Sequence, residues 1–131
     1  MTYIQTIEKY QSNHNRIIKN NQGFFAFGKE QLLEEMEKGN FKKEELTSFG
    51  CGLILPKVNV KNYIKGCKEI SDQYDKDIKK INPIEIIKYE LSNHECYYTG
   101  DITDVVELLQ CYNITKEQIE KVYQDNKVYG L

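Results

Sequence analysis

Apolar positions recur along the chain in two ways: at spacings of three and four, which mark helices, and in short unbroken runs, which mark strands. Ile4, Ile7, Tyr10, His14 and Ile17 share one face of a helix predicted from Thr2 to Asn20, which Asn20-Asn21-Gln22-Gly23 ends. Phe24-Phe25-Ala26-Phe27, closed by Gly28, has the length and aromatic content of a strand. Lys29 to Lys38 reads as a helix with Leu32, Leu33 and Met36 inward, stopped by Gly39-Asn40. Leu46 to Leu55 is the expected partner strand. Its Gly50 and Gly52 allow a bulge or close packing against a helix, and Pro56 ends it.

The clearest helix follows. Val60, Tyr63, Ile64, Cys67, Ile70, Tyr74, Ile78 and Ile81 form one stripe, and Lys61, Lys65, Lys68, Asp72, Lys76 and Lys79 cover the other side. Asn82 as N-cap and Pro83 at the first helical position start the next helix, with Ile84, Ile87 and Leu91 on one face and an end near Asn93. Cys96 to Gly100 reads as a turn, and Asp101 caps a short helix carrying Ile102, Val105, Val106 and Leu109. Thr115 with Gln118 makes a capping box for the last helix, and Ile114 with Ile119 a hydrophobic staple. These elements predict one α+β domain over residues 1–131, mostly helical, with about six helices packed on a short antiparallel two-stranded ribbon. Such a ribbon is marginal alone, so helices must cover it.

Composition narrows the function classes. The chain is 40% hydrophobic and 29% charged, near globular averages, which excludes wholesale disorder. A net charge of −2 argues against a protein that binds nucleic acid by neutralising phosphates, so no direct nucleic-acid binding is expected. No signal peptide or membrane-spanning run is visible, and the expected location is the cytoplasm of a bacterial cell. The four cysteines form no CxxC pair and read as reduced, mostly buried thiols. Arg16 is the only arginine and Ala26 the only alanine among many Lys, Ile, Asn and Tyr, a skew that fits an AT-rich genome.

Candidate chemistry concentrates between Glu90 and Asp104. No Lys or Arg lies between Lys88 and Lys116, while Glu90, Glu95, Asp101, Asp104 and Glu107 are all acidic. One reading is a solvated acidic turn whose aspartates favour a helix N-terminus. The other is a partner-binding face of Glu90, His94, Glu95, Tyr97, Tyr98, Asp101, Asp104 and Glu107, where tyrosines give rigid contact area and carboxylates meet cations. A metal set of Glu90 and His94 with Asp101 or Asp104 competes, but it has no recognised spacing, and a histidine at a helix C-terminus more commonly serves the cap. Cys96 with His94 is a weak thiolate–imidazole pair. Gly50-Cys51-Gly52 matches no nucleotide-binding pattern. No catalytic residue, metal or cofactor is assigned.

The aromatic strand followed by Glu30-Gln31, the segment Gly50-Cys51-Gly52, and Asn93-His94-Glu95 running into Tyr98-Thr99-Gly100-Asp101 together resemble small, functionally unassigned proteins encoded by phages and mobile elements of low-GC bacteria. The resemblance spans roughly residues 22–123. It implies a setting among phage accessory genes, many of which encode inhibitors of host defence, and it carries over no catalytic residue. The resulting expectation is a non-enzymatic, anti-CRISPR-type inhibitor whose acidic face docks on a cationic host protein or nucleoprotein complex, with no membrane partner. A small metal- or His-dependent phage enzyme and an adaptor of phage replication or packaging are the alternatives.

Overall fold

A computed structural model describes residues 1–127 of the protein. Among them are seven α-helices, α1 (Tyr3–Asn20), α2 (Lys29–Gly39), α3 (Val60–Lys79), α4 (Pro83–Asn93), α5 (Cys96–Thr99), α6 (Thr103–Leu109) and α7 (Lys116–Lys127). Three strands, β1 (Phe24–Phe25), β2 (Leu46–Gly50) and β3 (Leu53–Pro56), form one antiparallel sheet in the order β1-β3-β2. The fold is α+β and mostly helical. None of the described helices is long and apolar enough to cross a membrane. Contacts among the described residues gather into two compact units, residues 7–74 and residues 1–6 with 75–127.

In the unit of residues 7–74, the expected single strand from Leu46 to Leu55 is a hairpin, which makes the ribbon three-stranded. Cys51 and Gly52 form its two-residue loop with φ of 52° and 82°, the positive pair that a type I′ turn requires. Cysteine at the first of these positions is an uncommon turn residue, so the local signal was weak. The expected bulge does occur, at Phe49, between the pairs Ser48↔Ile54 and Gly50↔Leu53. Leu55 is fully buried and packs with Ile18, Leu53 and Tyr63, with Ile17 and Cys67 against them. α1 ends in a Schellman motif: Gln22 takes φ 60°, Gly23 N–H donates to the Ile18 carbonyl at 2.8 Å, and Gln22 N–H to Lys19 at 3.1 Å. α2 buries no residue, and Leu33, expected inward, is 53% exposed.

His14, on the half-buried face of α1, has Nε2 3.0 Å from the Tyr63 hydroxyl. Burial, followed by the hydrogen bond with Cys67, pushes the Tyr63 hydroxyl up to about 12. Ultraviolet titration should therefore show one tyrosine ionising near pH 12 in the folded protein, and that step should vanish in Tyr63→Phe. The sign follows from linkage: the folded value is raised, so this contribution to stability is intact below pH 10 and is lost as pH climbs towards 12.

The other unit is built on α4 to α7, with Ile86, Ile87, Leu91, Val105, Leu109 and Ile119 buried. Its caps follow the sequence. Asn82 Oδ1 accepts from Ile84 N–H at 3.0 Å, while Thr115 N–H donates to Gln118 Oε1 at 2.8 Å and Gln118 N–H to Thr115 Oγ1 at 3.2 Å. The expected apolar faces hold at Ile87 and Leu91 of α4 and, half-buried, at Ile7, Tyr10, His14 and Ile17 of α1, but not at the first turn of either helix. Ile4 and Ile84 are 49% and 50% exposed, whereas Tyr3, Thr6 and Ile86 are buried. One residue turns a helix by about 100°, so the inward side is Tyr3 rather than Ile4. Cys51 and Cys111 are exposed, correcting the expectation of mostly buried thiols, and Cys96 is buried.

Candidate functional site: the acidic turn from α4 to α6

α4 closes at His94, whose N–H donates to the Glu90 carbonyl at 3.0 Å. Glu95 then takes the left-handed conformation at φ 55°, which redirects the chain into the single turn α5. A non-glycine residue there is uncommon and costs about 1 kcal/mol. Gly100, also left-handed at φ 76°, ends α5 with its N–H on the Cys96 carbonyl at 2.8 Å. Asp101 Oδ1 accepts from Thr103 N–H at 2.9 Å and from its hydroxyl at 2.6 Å, setting the entry to α6. These two bonds hold the Asp101 carboxyl below its ordinary range.

Eight residues were expected on one partner-binding face, and they divide. Glu95, Asp101, Asp104 and Glu107 are exposed, and Tyr98 is 92% exposed. Among the described residues none of these four carboxylates forms an ion pair. Burial raises the Cys96 thiol, and the charges of Asp101 and Asp104 add a smaller rise. Tyr97 is half-buried and stacks on Tyr123 with ring centres 5.4 Å apart, which pins α5 to α7. Burial raises its hydroxyl as well. One ring of the tyrosine pair is thus spent on the scaffold and the other is left to solvent.

Glu90 does not belong to this face. It is 4% exposed, accepts the Tyr3 hydroxyl on Oε1 at 3.0 Å, and pairs through Oε2 with His94 Nε2 at 3.3 Å. A carboxylate so placed is a structural anchor, because burial without those partners would be prohibitively costly. His94 turns its Nε2 towards Glu90 while the residue itself stays exposed. Sequence reasoning saw the i, i+4 relation of Glu90 and His94 but had no signal for Tyr3.

The alternative chemistries fare as follows. Among the described residues no three His, Cys, Asp or Glu side chains gather closely enough to hold a metal ion. Cys96 is 1% exposed and its thiol is raised, the wrong direction for a nucleophile. Two open cavities flank α4 and were not anticipated. One, of about 460 Å³, is lined by Ile78, Ile81, Cys111 and Tyr112, and the other, of about 470 Å³, by Ile84, Ile87, Lys121 and Val122.

Comparison with known proteins adds one finding. Neither a curated protein nor a solved structure matches the chain. A family model does match, over residues 6–130, and by that match the chain belongs to DUF7659, a family of unknown function.

Proposed function

We propose that the protein is a non-enzymatic binding protein whose acidic turn docks on a cationic surface of another protein or nucleoprotein. The observation carrying this reading is Tyr98, 92% exposed in α5 and lying along the chain between Glu95 and the Asp101 and Asp104 carboxylates. An exposed tyrosine flanked along the chain by exposed carboxylates that make no ion pair among the described residues matches the composition of interfaces that combine a rigid aromatic anchor with charge complementarity. Four exposed acids are too few for a mimic of duplex DNA, which carries a charge every ~1.7 Å, so a local plug in a cationic groove is the fitting mode. The resemblance to phage accessory proteins supplies the finer proposal, inhibition of a bacterial defence nuclease of the CRISPR type, whose channels for nucleic acid are cationic.

The test pairs charge reversal with a control on structure. Asp101→Lys/Asp104→Lys should weaken binding to a captured host partner, and inhibition of its nuclease activity, by about tenfold or more, and wild-type binding should weaken with added salt. Glu95→Gly should raise thermal stability by removing the positive-φ penalty while lowering affinity, a split that a purely structural role would not give. Unchanged binding in the folded double variant would remove the face from the account. If the captured partner belongs to phage replication or packaging, the face stands and the defence reading falls.

A further inference from the structure

The sheet of residues 7–74 ends at β2, a strand exposed over Ser48, Phe49 and Gly50. The hydrogen bond from Ala26 N–H to the Gly52 carbonyl, at 2.8 Å, sets the phase of the β1–β3 ladder. Ala26/Gly52 and Phe24/Ile54 are then its hydrogen-bonded pairs, so Ile54 turns its N–H and C=O towards β1. Leu55 turns the other way and bonds Thr47. Ser48, opposite Ile54, must therefore direct its own N–H and C=O away from the sheet. Leu46 does the same.

Natural edge strands are guarded by charge, proline, cover or a bulge; the bulge of β2 lies at Phe49, beyond its regular stretch from Leu46 to Ser48. Leu46–Gly50 has neither charge nor proline, and Ser48, Phe49 and Gly50 are exposed. Phe49 is the bulged residue, 42% exposed, with one edge of its ring against Tyr63 at 5.4 Å. From this we infer that β2 pairs with β2 of a second copy of the chain, antiparallel about a two-fold axis at Ser48.

Three features select a second copy in that orientation. The two Ser48 residues would exchange both outward backbone bonds, the self-complementary arrangement that a two-fold interface demands. Phe49 would lie beside Thr47 of the second copy, on the same face of the joined sheet, so each exposed ring is covered. Charge also agrees: the strand is preceded by Glu44-Glu45 and followed by neutral Cys51-Gly52. Antiparallel pairing sets the acidic end of one strand against the neutral turn of the other, whereas parallel pairing would stack the glutamates on their own copies.

Sedimentation velocity on the full chain, at concentrations up to about 1 mM, which reaches weak specific contacts, should show a species of twice the 15.4 kDa monomer. Ser48→Pro should shift dissociation at least tenfold while keeping the urea midpoint of Ser48→Ala, because both lose the Ser48 hydroxyl that accepts the Gly50 N–H at 3.3 Å and the amide that proline deletes has no partner among the described residues. Ser48→Ala should dimerise like wild type. Should Ser48→Pro misfold, Ser48→Lys sets two cations against each other at the axis and should likewise remain monomeric. The Ser48 amide should also gain protection from hydrogen exchange as concentration rises. A wild-type chain that stays monomeric throughout, or Ser48→Lys dimers as tight as wild type, would overturn the inference and leave the edge to an extended segment of another protein.

Discussion

Glu90→Ala is expected to lower the unfolding free energy by about 2–3 kcal/mol, the range for removing a buried side chain together with its hydrogen bonds. The carboxylate serves two groups at once, the Tyr3 hydroxyl at 3.0 Å and the His94 imidazole at 3.3 Å. Alanine removes the carboxylate that accepts the Tyr3 hydroxyl, on a residue whose ring packs edge-on against Tyr89 at 5.2 Å. Urea denaturation should show the midpoint falling with an unchanged slope, and the melting temperature should drop by about 6–12 °C. Glu90→Gln keeps an acceptor of the same shape, so it should cost about 1–2 kcal/mol. A Glu90→Ala variant within 1 kcal/mol of wild type would return Glu90 to the surface role first expected of it.

Gly23→Ala should cost about 2–3 kcal/mol for a single added methyl group. A Cβ at this position would stand 2.8 Å from both Ile18 Cγ2 and Leu55 Cδ2 and 3.0 Å from the Ile18 carbonyl oxygen. None of the three can yield cheaply. Leu55 is fully buried, and the Ile18 carbonyl already accepts the N–H of Gly23 itself in the motif that ends α1. The penalty is steric overpacking, so deleting a crowding atom should relieve it: Gly23→Ala/Ile18→Ala, which removes the Ile18 Cγ2, should cost clearly less than the sum of the single changes. Strict additivity in that cycle would rule out the contact as the cause.

Both results bear on what could be read before the fold was known. Caps were legible because they are settled within four residues: Asn82 with Ile84 and Thr115 with Gln118 bond as their spacing dictates. The long stripe of α3 was legible for the same reason. The hairpin at Cys51-Gly52 was hidden because cysteine at positive φ is tolerated only when flanking strands pair, a non-local condition. The exposed Leu33 was missed because helical periodicity identifies a side but cannot say whether anything arrives to cover it.

The acidic turn shows the division most plainly. That a cation-free stretch joins α4 to α6, with acids at Glu95, Asp101, Asp104 and Glu107, was determined by the order of residues alone. Which carboxylate lies inside was decided by a tyrosine 87 positions away, and which tyrosine remains free was decided by Tyr123 stacking on Tyr97 instead of Tyr98. The physical reason is range. Propensity, capping and charge act over a turn or two of chain, whereas desolvation depends on every group that folding brings near, and only the tertiary structure assembles those.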